Sequence, residues 1–560
     1  MSNPVPRRGI LALLGLGSAV ATSRALTGNA EAAAPSAART VAMRENLAHI
    51  TAAPGEVWFI ADGPGAGSWR WRAGNHDDQV RADLLQGLTL AHATISPKKG
   101  AWVREWDGAY GRAEWFGAVV NQRDVDCQPA IQAALDLCPA VQLGAGIYHT
   151  RSRILILKNA THLLGMGMAQ DQGENLRATQ IVCSSPTDTI LQVGSDSARQ
   201  PSPLVETVEL RDFSVRRDAA PFIPASGLNG AIGIAMRWCV NCHVERVFST
   251  DSARGWYFYG TIENYVTGCS AMRGRSGSDR ANDFFIGYHL DYTAPLAANG
   301  GNASLYFDHC RAFAGFGEGT PTLVYSAGLR TDYGFVDLYI NALETGLIQY
   351  GIDGHGDAYS GGESFRTEDL IITNCVFDPG HEACIRLQTA DTSAQIQITS
   401  NYFAAAEGTS IALADIGGSV SLTANQCFGR VGLHASRVNN LRATNNLYTK
   451  HEQPIRLENV TSFHLQDTIH VLAPPSDFAA IRLIDCTRGR IDCIVNGRSS
   501  AHAVGVDLAG TGNSLVEVNC TNLQASAFAG GAVSKLIYNG QPVTAVGSFG
   551  NNCLAQGIMQ

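Results

Sequence analysis

Apolar and polar residues alternate in short runs along most of the chain, and the runs recur. "LIITNCVF", "IQITSNYF", "SLTANQCF", "LRATNNLY", "FHLQDTIH", "GRIDCIVN" and "VEVNCTNL" share one form, an alternating strand with Asn or Asp near its end. The markers Asn374, Asn401, Asn425, Asn445, Asp467, Asp492 and Asn519 are 27, 24, 20, 22, 25 and 27 residues apart. Between these copies, and between looser ones upstream such as "HVERVFS", "YVTGCSAM", "LYFDHCRAF" and "VDLYINAL", lies a second strand of the form G-I-x-L, as in "GIAMRW", "GWYFYG", "GYHLDY", "GLRTDY", "GLIQYG" and "CIRLQT". Two or three strands every 20 to 27 residues, joined by Asn- and Gly-rich turns, predict one coil of a parallel β-solenoid. A single coil cannot bury its inward side chains, but stacked coils bury them as a column. Asn at matching turns tolerates a left-handed backbone and can stack into a hydrogen-bonded ladder.

Side chains alternate faces along a strand, so the inward residues fix the outward ones. Taking Ile234, Trp256, Tyr288, Leu329, Leu347 and Ile385 as inward, one outward column reads Ala235, Tyr257, His289, Arg330, Ile348, Arg386. The next reads Arg237, Tyr259, Asp291, Asp332, Tyr350, Gln388. Tyr offers a flat surface to a pyranose and Arg a two-pronged clamp for a carboxylate. Arg237, Tyr257, Tyr259, Arg330, Tyr350 and Arg386 are therefore the expected substrate-binding residues. Asp291 and Asp332 would sit about 4.8 Å apart on adjacent rungs. Two carboxylates so close raise one pKa, giving a proton donor beside an anion. They are the expected catalytic acids, facing a solvent-filled trough, with His289 tuning them; Ca²⁺ is the alternative occupant of the same oxygens.

A second cluster follows in "DLYINALETGLIQYGIDGHGDAYSGGESF", with Asp337, Glu344, Asp353, His355, Asp357 and Glu363. Glu344 and Asp353 join the catalytic candidates, although Glu344 also reads as a turn residue. "RGRSGSDRAND" could bring Arg273 or Arg275 to the groove as its opposite wall.

The segment "AEWFGAVVNQRDVDCQPAIQAALDLCPAVQLGAGIYHTRSRILILKNATHLLGMG" resembles the opening of pectate-lyase-superfamily right-handed β-helices, which include polygalacturonase-like hydrolases and phage tailspike depolymerases. That resemblance implies a W-F-G-A strand, then a helix "CQPAIQAALDLC" capping the open end of the solenoid. It departs from the usual entry motif, with "NQRDVD" in place of an acidic G-D-G-x-x-D-D run. It implies a polysaccharide substrate and, from the tailspike members, a homotrimer. The expected architecture is all-β: a small module over 34–112, a right-handed parallel β-helix over 113–545, and a tail over 546–560.

Composition narrows the chemistry. The formal charge of −9 argues against nucleic acid or an anionic membrane as partner. The five lysines are Lys98, Lys99, Lys158, Lys450 and Lys535, so any cation in the central coils is Arg or His. Arg7-Arg8 before "GILALLGLGSAVA" and a small-residue stretch read as an export signal over 1–33, with a secreted or periplasmic product. Many of the fourteen cysteines, among them Cys269, Cys310, Cys375, Cys427 and Cys520, lie within apolar-alternating runs, as small core residues. The first expectation is a glycoside hydrolase with paired carboxylates and no cofactor. The second is a polysaccharide lyase using His289, Arg330 or a Tyr, and the third a carbohydrate-binding solenoid without chemistry.

Overall fold

The computed structural model describes residues 39–169 (except 52, 62 and 64), 177–197, 201–218, 231–273, 284–291, 302–314, 325–332, 336–356, 368–378, 380–449, 452–471, 479–497 and 504–507, with four short strands between 515 and 543. The export-signal stretch, the tail, Asn519, Arg275, Asp357 and Glu363 lie outside the described residues, as does the side chain of His355. Among the described residues no helix is long and apolar enough to cross a membrane.

A five-stranded sheet lies near the N-terminus, over Arg39–Val41, Val57–Ile60, Gly67–Ala73, Thr89–Leu90 and Gly100–Arg104. Its core is Leu47, Ile60, Trp69, Trp71, Leu90 and Trp102. The Arg104 guanidinium lies 4.5 Å from the Trp69 ring and 4.7 Å from the Trp115 ring, joining this module to the start of the solenoid. The helix Gln128–Leu137 then buries Ile131, Ala134 and Leu135 in the solenoid core.

From Gly111 onward the chain is a parallel β-helix, with right-handed crossovers as parallel connections require. Each coil contributes to three parallel sheets in turn. One coil runs from Ala303–Asp308 on sheet 1, through Arg311–Ala314 on sheet 2, to Tyr325–Asp332 on sheet 3. A single apolar cluster runs the length of the interior.

The turn between sheets 1 and 2 uses one left-handed residue followed by one that points inward. Asn374 and Asn445 are the left-handed residues, at φ 57° and 59°, so the interior positions belong to Cys375 and Asn446. The interior ladder therefore runs Asn401, Asn425, Asn446, Asp467, one residue out of step with the expected Asn445. Each Asn Nδ2 donates to the side-chain Oδ1 of the next rung at 2.9–3.0 Å. Each also donates to a carbonyl of the preceding rung, of Ile372, Ile398 or Leu422. Upstream the same column holds Cys269, Cys310 and Cys375, whose thiols meet strand carbonyls. All twelve described cysteines are buried thiols outside any disulfide, so the expectation that they are core residues holds for these.

Asp467 ends the ladder. Its Oδ1 accepts from Asn446, while its buried Oδ2 has no hydrogen-bond partner. Burial pushes its pKa up to about 7, against the hydrogen bonds from Asn446. The raised value means that the folded state holds a proton the unfolded state has lost. Stability is undiminished below pH ~4 and declines until about pH 7, by a few kcal/mol in all. Asp467→Asn supplies the missing amide donor. It should match the parent at pH 4 and exceed it at pH 8, as thermal melts at the two pH values would report.

Candidate functional site

Six successive strands of sheet 3 carry the candidate residues: β1 Ile232–Arg237, β2 Arg254–Tyr259, β3 Phe284–Asp291, β4 Tyr325–Asp332, β5 Ile348–Gly356 and β6 Gly380–Thr389. A glycine column, Gly233, Gly255, Gly287, Gly328 and Gly351, runs through β1 to β5. A Cβ on Gly287 would meet the Gly328 carbonyl at 2.5 Å, and one on Gly328 the Gly351 carbonyl at 2.6 Å. The strand register skips this column, so the preceding residue (Arg254 in β2, Tyr350 in β5) joins the outward face.

The same column corrects the register expected for β5. "GLIQY" and "GIDGH" both fit the repeat, but Gly351 is the stacked glycine and Leu347 is a left-handed turn residue at φ 58°. Ile352 is therefore the inward residue under Leu329, Arg330 pairs with Asp353, and Asp332 pairs with His355. Ile348 and Tyr350 leave the two expected columns; Tyr350 sits between Ala327 and Ala383.

Register does place Asp291 beside Asp332, with His289 beside Arg330 and Tyr257 beside His289. The two carboxylates nevertheless serve different partners. The Tyr257 hydroxyl donates to Asp291 Oδ2 at 2.7 Å. Asp332 accepts His289 Nε2 at 2.7 Å on one oxygen and Arg330 Nε at 2.6 Å on the other. Burial pushes Asp332 upward, but His289 and Arg330 outweigh it and hold the group at about 2. Asp332 is thus an anion at neutral pH, so it can serve as the anion of the expected pair and not as its proton donor. The trough also needs correcting: His289 is fully buried, and Asp291 and Asp332 are only 8% and 7% exposed.

His289 is held by Asp332 through Nε2, which fixes the tautomer with Nε2 protonated when the ring is neutral. Its Nδ1 is buried and has no partner. Burial first, then the Arg254 charge, depress its pKa, outweighing the two aspartates. Arg254 itself escaped the sequence reading because its outward placement depends on the glycine kink. It is 1% exposed, its cation lies 5.5 Å from the Tyr257 ring, and both terminal nitrogens lack hydrogen-bond partners. Burial lowers its pKa to about 10, which leaves it a cation. Tyr257 is pushed above its ordinary value by burial and Asp291, so its hydroxyl keeps its proton.

The remaining candidates divide. Arg237 lies over Tyr257 and Tyr259 at 4.9 and 5.8 Å, on the upstream flank. Downstream, Arg386 clamps Asp353 with two hydrogen bonds of 2.7 and 2.8 Å, and stacks 4.0 Å from the Tyr350 ring. The Tyr325 hydroxyl also donates to fully buried Asp353. Glu344 lies on sheet 2, paired with Arg311 at 2.9 Å, and so is removed from this face. Asp337 sits at a left-handed position entering sheet 1, and buried Arg273 donates to the Phe284 carbonyl, not to a groove. Among the described residues no three His, Cys, Asp or Glu side chains converge as a metal site.

No family model matches the chain, and no curated protein matches it. Similar solved structures include the A-module of an Azotobacter vinelandii mannuronan C-5 epimerase, 17% identical over 76% of this chain and 98% of that one, with a TM-score of 0.39. Tailspike protein 3 of bacteriophage CBA120 is 13% identical over 88% and 76%, at 0.44. PfbA, a surface adhesin of Streptococcus pneumoniae, is 12% identical over 70% and 90%, at 0.41. At these identities the chemistry of the site has to be judged from its own atoms.

Breaking a buried charge pair by removing one partner costs about 3–5 kcal/mol. Asp353→Ala removes the fully buried partner of the Tyr325 hydroxyl and of Arg386, which stays partly solvated, and should destabilise the protein by less than that, about 1–3 kcal/mol, in chemical denaturation. Glu344→Ala, by contrast, should change stability by less than about 1 kcal/mol.

Proposed function

We propose that this chain cleaves a uronate-containing polysaccharide by β-elimination, with His289 as the base. One observation carries the reading: an imidazole nitrogen with no hydrogen-bond partner lies in the same buried cluster as an arginine whose two terminal nitrogens have none. Arg254 pairs with the uronate carboxylate, which acidifies the neighbouring C5 hydrogen. Nδ1 of His289 takes that proton, and Asp332 stabilises the imidazolium so formed. The C5–H electron pair becomes the C4=C5 bond as the C4–O4 bond breaks. The imidazolium returns its proton to O4, so no separate acid is consumed. Exclusion of water strengthens the pull of Arg254 on the developing charge. Arg237, Tyr259, Arg330 and Arg386 keep partial exposure around the cluster and are where a glycan first meets this face.

The sequence supports the same reading, since no lysine between Lys158 and Lys450 can supply the base. Hydrolysis by paired carboxylates retains support from the adjacent register of Asp291 and Asp332. It lacks a protonated acid in Asp332, which His289 and Arg330 hold at about 2.

A panel of acidic and neutral polysaccharides, scored for ultraviolet absorbance and for reducing ends, separates the two. Elimination yields both signals together, and His289→Ala should reduce them by about 10²–10⁴-fold. Reducing ends without absorbance, abolished by Asp291→Asn, would instead establish hydrolysis.

The neutral imidazole is the active form, so kcat/KM falls as pH drops through its depressed pKa. The acid limb should therefore lie below the ordinary histidine value. Removing the Arg254 charge in Arg254→Met should move that limb to higher pH, measurable on residual activity.

A further inference from the structure

Downstream of this cluster, sheet 3 carries a groove of 500 Å³. Its floor is Thr409, Val431 and Gln453, which continue the outward column of Arg254 and Tyr350. Beside the floor stand Glu382, Glu407, Arg430 and Glu452, where the chain enters four successive rungs of sheet 3, with Arg430 bonded to Glu452 at 3.0 Å, and Arg456 and Arg482 also line the groove. Glu382, at the upstream end, immediately precedes Ala383, which pairs with Tyr350, on whose ring Arg386 is stacked. The groove is thus continuous with the flank of the candidate active site. From His289 the register passes through Arg330, Asp353, Arg386, Ala412 and His434 to Arg456, six rungs or about 29 Å.

We propose that this groove is a distal binding site for an uncleaved stretch of the same polysaccharide, lying along the helix axis. The inference rests on the functional reading above for its ligand class, but on different residues. The lining suits a polyhydroxylated chain: Glu382 and Glu407 accept from sugar hydroxyls, and Arg430, Arg456 and Arg482 donate to hydroxyls or uronate carboxylates. The floor residues are small or uncharged, which leaves room for a ring. Arg456 is bonded to Glu458, and Arg482 to Asp507 at 2.9 Å, so both are oriented before a ligand arrives. Neither residue belongs to the proposed chemistry, and the groove acts by holding long chains.

The test uses the full chain with alginate and polygalacturonate, each as polymer and as short oligosaccharides that reach no further than the cluster. Arg456→Ala with Arg482→Ala should raise KM for polymer by about tenfold and leave kcat unchanged. Values for the oligosaccharides should not move. Val431→Trp, which fills the floor without touching either arginine, should give the same split. Polymer KM unchanged in both variants overturns the proposal, as does equal loss on polymer and oligosaccharide. Affinity electrophoresis of His289→Ala in polymer-containing gels keeps the two readings apart. Retardation that disappears on adding the groove substitutions supports the distal site whatever His289 does. Full activity in His289→Ala would strike the base assignment alone.

Discussion

The interaction on which the rest depends is in-register hydrogen bonding between parallel strands of successive coils. It sets each paired residue of sheet 3 beside one residue above and one below, at about 4.8 Å. A functional cluster here is therefore a column, not a sequence motif. His289 meets Arg330, Tyr257 and Asp332 because β2, β3 and β4 stack without a slip. The glycine column enforces that alignment, since a side chain at Gly287 or Gly328 would strike the next carbonyl. The kink it allows also brings Arg254 to the outer face.

Charge in this column is arranged so that each acid has a different task. Asp353 is consumed by Arg386 and Tyr325 and serves the frame. Asp332 is kept ionised by His289 and Arg330 and orients the imidazole. Asp291 accepts from Tyr257. What then lacks a hydrogen-bond partner is one imidazole nitrogen and the two terminal nitrogens of Arg254. That imbalance is the physical basis for reading the site as a proton-abstracting centre for an anionic sugar. The same outward column, followed down the solenoid, opens into a groove lined by both signs of charge.

The sequence by itself determined the solenoid, because its repeat and its alternation express the one constraint a stacked coil must meet: an apolar inward set on every rung. It also aligned "GYHLDY" with "GLRTDY" and so put Asp291 over Asp332 provided no coil came between them, a condition that the register of β3 on β4 meets. It could not decide β5, where two glycine-led segments fit the repeat and only the stacked glycines choose between them. Nor could it separate Asn445 from Asn446, which differ by one backbone torsion. The partners of Asp291 and Asp332, and the outward turn of Arg254, were decided by tertiary structure. Hydrogen bonding and burial act on the three-dimensional neighbourhood of a side chain, and alternation along a strand records only which face it leaves from.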